Sequence, residues 1–198
     1  MVRVALTGGI ATGKSGVLRY LQSRGVPTID ADVLAREAVA PGSAGLAAVQ
    51  ARFGPSILAR DGTLDRRALA ALVFADPSAR ADLEAIIHPA VYKAIADWFE
   101  RQPVSAPVAV ADIPLLFETG RAGDFDRVVV AACPVAEQIR RAMARDGIPE
   151  ADARARVAAQ WPIAEKVARA DHVIWTTGSV VETQGEIDRV LSLLSARG

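Results

Sequence analysis

At 198 residues, 51% hydrophobic and 23% charged, the chain is long enough for one sizeable core with a small inserted subdomain, and its composition is that of an ordinary globular protein. Basic and acidic side chains balance at 23 each, which argues against nonspecific nucleic-acid binding as the main task. The single cysteine, Cys133, excludes an intramolecular disulfide and reads as a core residue. No apolar run approaches a membrane span and no charged leader precedes the first apolar run, so a cytoplasmic protein without a membrane partner is expected.

Residues 2–7 are a short apolar run suited to a buried parallel strand. A glycine-rich turn follows, then Lys-Ser opening an amphipathic stretch at 14–24 that Gly25 stops. Residues 8–15 fit the phosphate-binding loop G-x-x-x-x-G-K-[ST] without a mismatch. Gly8, Gly9, Ile10, Ala11, Thr12, Gly13, Lys14, Ser15 and Gly16 are therefore the candidate nucleotide-binding residues. In such a loop backbone N–H groups wrap a triphosphate, the lysine reaches the β/γ-phosphates and the serine hydroxyl holds Mg²⁺. ATP and Mg²⁺ are the expected cofactors.

Residues 26–29 form a second short strand, ending at Asp30-Ala31-Asp32, and 33–39 look helical up to Pro41-Gly42. The pattern then changes. From 45 to 103 short helical stretches follow one another, with interruptions expected at Phe53-Gly54-Pro55, Asp61-Gly62, Asp76-Pro77 and His88-Pro89, and with no strand between them. Residues 104–111 read as a strand ended by Asp112, and 127–133 as another closed by Pro134. Two charged helices at 135–145 and 150–170, a last strand at 172–175 and a helix at 180–194 complete the chain.

Strands alternating with helices indicate an α/β doubly wound parallel sheet, with a helical insertion and a helical lid. The expected division is a nucleotide-binding core (1–44, 104–134 and 171–198), an acceptor-binding insertion (45–103) and lid helices (135–170). Ligands in such sheets sit beyond the carboxyl ends of the strands. That singles out the phosphate loop, Asp30/Asp32, Asp112 and the loop at 176–178. In an extended Asp30-Ala31-Asp32 only one carboxylate faces an acceptor hydroxyl and takes its proton, while the other caps the next helix. Asp112, ending an apolar strand, suits the second metal-side position. Glu118 either serves the acceptor or caps a helix. Arg140, Arg141, Arg145, Arg154 and Arg156 form a basic cluster that closes over a transferring phosphoryl group or lines a solvated face with Glu137 and Asp146. Lysine occurs only at positions 14, 93 and 166.

The chain contains no asparagine, so the guanine-reading N-K-x-D element is absent and a GTPase switch is disfavoured. A small-molecule kinase is the favoured class, with a kinase for another small nucleotide or metabolite as one alternative and a nucleotide-binding switch acting on a protein partner as another. Thr7-Gly8-Gly9-Ile10 with Gly13-Lys14-Ser15, Ile29-Asp30-Ala31-Asp32, Ala35-Arg36-Glu37, the run from Asp61 to Arg66 and Ile87-His88-Pro89 resemble dephospho-CoA kinase. So do Asp112-Ile113-Pro114-Leu115-Leu116-Phe117-Glu118, Gln138 with Arg141, Ala159-Gln160 and Ala170-Asp171-His172-Val173-Ile174. The resemblance covers nearly the whole chain in order. It implies transfer of a phosphoryl group from ATP to the ribose 3′-hydroxyl of dephospho-CoA; separately, a monomer or weak homo-oligomer is expected. It also implies Asp32 as the base, Lys14 and Arg141 as further catalytic groups, and Ser15 and Asp112 on the metal. His88, Leu115, Phe117 and Glu118 would lie against the acceptor.

The chain departs from that pattern at four places. Ala11 stands where the family commonly has glycine, Gly16 where it has threonine, Ala132 where it often has aspartate, and Thr176 where it often has asparagine near the adenine. Phosphate binding is expected to survive the first two, since Lys14 and Ser15 remain. The last two leave nucleotide selectivity open.

Overall fold

A computed structural model describes residues 1–196. The described chain divides into two compact units, one formed by Met1–Ile29 with the chain from Arg101 on, the other by Asp30–Glu100.

The first unit is built on a parallel sheet. β1 (Val2–Gly8) pairs in parallel with β3 (Val108–Asp112) on one side and β4 (Arg127–Ala132) on the other. β5 (His172–Trp175) pairs in parallel with β4, and β2 (Thr28–Asp30) takes the far edge, giving the order β2-β3-β1-β4-β5. β1, β3 and β4 are almost wholly apolar and buried, as strands covered on both faces must be. α1 (Lys14–Ser23) and α9 (Val180–Ser195) bury Val17, Leu18, Leu21, Ile187, Val190 and Leu194 against Val4, Leu6, Val110, Val129 and Ile174. Each such side chain removed from water contributes about 1.5–3 kcal/mol. Ser179 starts α9 with a reciprocal capping box to Glu182. α6 (Val135–Asp146) and α7 (Glu150–Ala158) pack on each other through Ile139, Ala142 and Ala153. α8 (Ile163–Ala168) packs against β4.

The second unit is helical: α2 (Ala31–Glu37), α3 (Ala44–Phe53), α4 (Arg66–Ala75) and α5 (Pro77–Glu100). Val39, Val49, Ile57 and Leu69 form its centre, with Phe53, Leu83 and Ile87 against them. Side chains of Asp30, Ser43 and Asp65 cap α2, α3 and α4. The unit begins at Asp30 rather than at 45, because α2 packs against α5.

Three expectations about elements need correction. His88-Pro89 does not interrupt a helix: α5 runs 24 residues through Pro89. Proline within a helix costs about 3 kcal/mol, but Val91, Ile95 and Phe99 beyond it are buried, and their packing keeps the helix continuous. β3 starts at Val108, not at 104, because Pro103 and Pro107 offer no N–H and Ala106 turns back onto the Pro103 carbonyl at 2.9 Å. The charged helix expected over 150–170 is two helices, broken before Pro162, which starts α8. Among the described residues no helix is long and apolar enough to cross a membrane.

Candidate functional site

The phosphate loop joins β1 to α1. Gly13 takes the left-handed conformation (φ 84°) at the head of α1, which has neither a side-chain cap nor an acidic residue in its first turn. The positive end of that helix is thus left to an anionic ligand. Crowding by backbone requires glycine at position 8, whereas Gly9 lies under a side chain that can move. A Cβ on Gly8 would lie 2.6 Å from the Ala131 carbonyl oxygen, and one on Gly9 would lie 2.4 Å from Gln138 Nε2. Gly8→Ala should therefore destabilise the first unit by about 1–3 kcal/mol, since backbone must shift to admit the methyl group. Chemical denaturation reads this directly.

The two departures within the loop differ in character. Ala11 is the one non-glycine residue with positive φ (56°) among the described residues, a conformation that costs an alanine about 1–2 kcal/mol. Its methyl group packs against the Ile139–Ala142–Ala153 cluster, which offsets part of that cost. Gly16 has open space where a Cβ would stand. Gly16→Ala should raise stability by about 0.5–1 kcal/mol through helix propensity, a melting shift of about 1–4 °C. Calorimetric melting tests it, and a drop would show that Gly16 serves another need.

Lys14 and Asp112 are brought together as an ion pair across the pairing of β1 with β3. Asp112 is 3% exposed and Lys14 is largely covered, while Ser15 is exposed. Ser15 and Asp112 supply hard oxygen donors of the kind Mg²⁺ takes. Among the described residues there is no cluster of three acidic, histidine or cysteine side chains that could cage a metal. That donor set fits a cation shared with phosphate oxygens and water.

Arg141 on α6 stands apart from its basic neighbours. Its Nη1 donates to Thr176 Oγ1 at 3.0 Å, its Nη2 to the Thr176 carbonyl at 2.6 Å and its Nε to Glu137 at 2.6 Å. Thr176 Oγ1 in turn donates to the Thr12 carbonyl at 2.6 Å. The arginine is thereby fixed beside the loop, on the wall of a cavity of about 500 Å³ lined also by Gly13, Gly16, Tyr20, Gly178 and Gln184. Arg140, Arg145, Arg154 and Arg156 are instead exposed and paired with Glu137, Asp146 or Glu150, the solvated-face alternative. Arg140, and then Arg141, pull the Glu137 carboxyl from 4.5 to about 2. A depressed carboxylate stabilises the fold above its ordinary value and loses that contribution as pH falls through the folded one. Glu137 should accordingly titrate near pH 2, which carboxyl-carbon NMR can follow. Burial pushes the Cys133 thiol up, consistent with an inert core residue.

Two glutamines bracket the loop at Ile10: Gln138 Nε2 donates to its carbonyl at 2.8 Å, and its N–H donates to Gln160 Oε1 at 2.7 Å. Glu118 does not cap a helix. Its Oε1 pairs with Lys166 Nζ at 2.7 Å and accepts the Trp161 N–H at 3.1 Å. Phe117 is buried and stacks on Trp161, their rings 6.2 Å apart, and Leu115 is partly buried. Lys166, wholly buried, and Trp161 are the residues sequence reasoning missed. The rarity of lysine in the chain was the available signal for the first.

Contrary to expectation, Asp30 and Asp32 in the second unit are not two positions of one extended run. Asp30 ends β2 and its Oδ1 accepts the Asp32 N–H at 2.8 Å, while Asp32 lies in the first turn of α2. Asp30 is thus the cap. Asp32 is exposed, and its carboxylate has no hydrogen-bond or ion-pair partner among the described residues. His88 is half-buried on α5, edge-on to Tyr92 at 6.2 Å.

Comparison with known proteins adds an independent line. The sequence profile of the dephospho-CoA kinase family matches residues 2–182. The chain is 49% identical over 197 residues to dephospho-CoA kinase of Anaeromyxobacter dehalogenans, covering 98% of this chain and 93% of that one. Among solved structures it is similar to a Thermus thermophilus protein (TM-score 0.83, 38% identity, 99% and 97% of the two chains). It is also similar to dephospho-CoA kinase of Campylobacter jejuni (TM-score 0.74, 27% identity, 98% and 97%).

Proposed function

The chain belongs to the dephospho-CoA kinase family, and from that premise we propose that it transfers the γ-phosphoryl group of ATP to the ribose 3′-hydroxyl of dephospho-CoA, giving coenzyme A and ADP. The observation that carries the reading is the phosphate loop, with Lys14 poised on Asp112 at its head, in a chain matched to that family along nearly its whole length. Membership in a family of enzymes sets aside the nucleotide-switch alternative.

Loop N–H groups and Lys14 hold the triphosphate, and phosphoryl transfer asks little of a protein beyond such positioning and charge stabilisation. Asp32 orients the 3′-hydroxyl and accepts its proton as the new P–O bond forms and the bond to the ADP oxygen breaks. Arg141, fixed by Thr176 and Glu137, offers its guanidinium to the charge on the transferring group. Ser15 and Asp112 would hold Mg²⁺, which when bound neutralises phosphate charge. We assign the acceptor to the helical unit with His88, and to Leu115, Phe117 and Glu118. We assign the lid to the helices within 135–170, and the setting to the cytoplasm.

An acceptor panel tests the reading. ADP release from Mg·ATP should depend on dephospho-CoA and should stay at background with shikimate, gluconate or adenosine. Release that ignores dephospho-CoA would refute it.

A further inference from the structure

We propose that Lys166 is a positioning residue for the phosphate loop: its ammonium grips the Gly8 carbonyl and ties the loop's first peptide to Glu118 and to the corner between α7 and α8. The proposal rests on the nucleotide-binding part of the function above. Lys166 is 0% exposed, the largest fully buried side chain among the described residues. An ammonium has three donors, and three acceptors surround this one: Glu118 Oε1 at 2.7 Å, the Gly8 carbonyl at 3.4 Å and the Pro114 carbonyl at 3.4 Å.

Each acceptor belongs to a segment that carries site residues. Gly8 opens the loop, Pro114 follows Asp112 by two positions, and Glu118 also accepts the Trp161 N–H. Trp161 follows Gln160, whose side chain takes the Ile10 N–H. The α7–α8 corner is therefore tied to the loop at both Gly8 and Ile10. All peptides of the described chain are trans. In a trans peptide the carbonyl and the following N–H point in opposite directions. Holding the Gly8 carbonyl toward Lys166 turns the Gly9 N–H away from it and fixes that first peptide plane.

Stability alone gives no reason for this pair. A buried ion pair is commonly no better than apolar side chains of the same volume. Composition gives no reason either: the chain has only three lysines, and Lys166 and Lys14 are the two that are covered, Lys93 being exposed. A planar guanidinium cannot direct donors from one nitrogen to three converging acceptors in a closed site, whereas a compact ammonium can.

The test uses Lys166→Met, close in volume and uncharged, and Lys166→Met/Glu118→Gln, which removes both buried charges together. ADP binding is measured by calorimetry without acceptor, and the single variant is also assayed with Mg·ATP and dephospho-CoA. Both variants should bind ADP at least about tenfold more weakly, equivalent to roughly 1.4 kcal/mol. In the single variant kcat should fall by a similar factor while the KM for dephospho-CoA stays within about twofold. ADP binding at the wild-type level in the double variant would overturn the proposal, leaving Lys166 a structural charge only. So would a raised acceptor KM with ADP binding unchanged. If Lys166→Met alone does not fold, the double variant carries the ADP measurement. A wild-type protein that binds ADP but does not phosphorylate dephospho-CoA would refute the proposed function while leaving the Lys166 comparison decisive.

Discussion

Replacing Lys14 with alanine should lower phosphoryl transfer by at least about 10²–10³-fold, the usual cost of removing one preorganised charge donor from a water-poor site. Lys14 is the first residue of α1, so its backbone and its ammonium belong to the same positive helix end. The ammonium is paired with Asp112, itself almost fully buried at the end of β3. A triphosphate competes for that ammonium, and the charge spread over the γ-phosphoryl oxygens in the transition state competes more strongly still. The variant also weakens the hold on a buried carboxylate, so part of its deficit is stability. Lys14→Arg separates the two effects. It keeps the positive charge beside Asp112 but replaces a point donor with a planar fork. It should stay folded in thermal melts and still lose most of the turnover. Wild-type rates in either variant would remove the loop lysine from the mechanism.

The second large effect is expected at Asp32. Asp32→Asn should lower kcat by about 10²–10⁴-fold, the usual worth of a positioned general base, while ADP affinity stays at the wild-type level. The local structure separates the roles of the two neighbouring aspartates. Asp30 spends its carboxylate on capping α2, and Asp32 is left exposed with its carboxylate uncommitted. Asp30→Asn, which preserves a capping oxygen, should therefore be far milder. Asparagine at position 32 keeps the size and one acceptor oxygen but cannot take up a proton. If that variant turned over normally, Asp32 would be a binding residue and not the base.

The sheet and its loop were legible because their signals are local. Apolar runs of strand length, a Gly-x-x-x-x-Gly-Lys-Ser turn and a helical period after it lie within some twenty residues. Most of what sequence did not disclose depends on contacts made at long range. Pro89 reads as a helix end, yet burial of Val91, Ile95 and Phe99 carries α5 past it. The tripeptide Asp30-Ala31-Asp32 reads as extended, yet the Asp30 cap starts a helix between the two carboxylates. The Arg-rich stretch reads as one cluster, but among the described residues it is Arg141 that reaches far along the chain, to Thr176, 35 residues on. Lys166 was least visible of all. It sits in an amphipathic segment among charged residues, and only the fold brings it to Glu118 and to Gly8, 158 residues away.

A kinase of this specificity is defined by the bond it makes. The direct measurement is to incubate the purified protein with Mg·ATP and dephospho-CoA and follow the products by mass spectrometry and phosphorus NMR. One new phosphomonoester on the ribose 3′-oxygen is expected for each ADP formed. ADP formation that does not depend on dephospho-CoA, or a phosphate placed elsewhere on the acceptor, would contradict it.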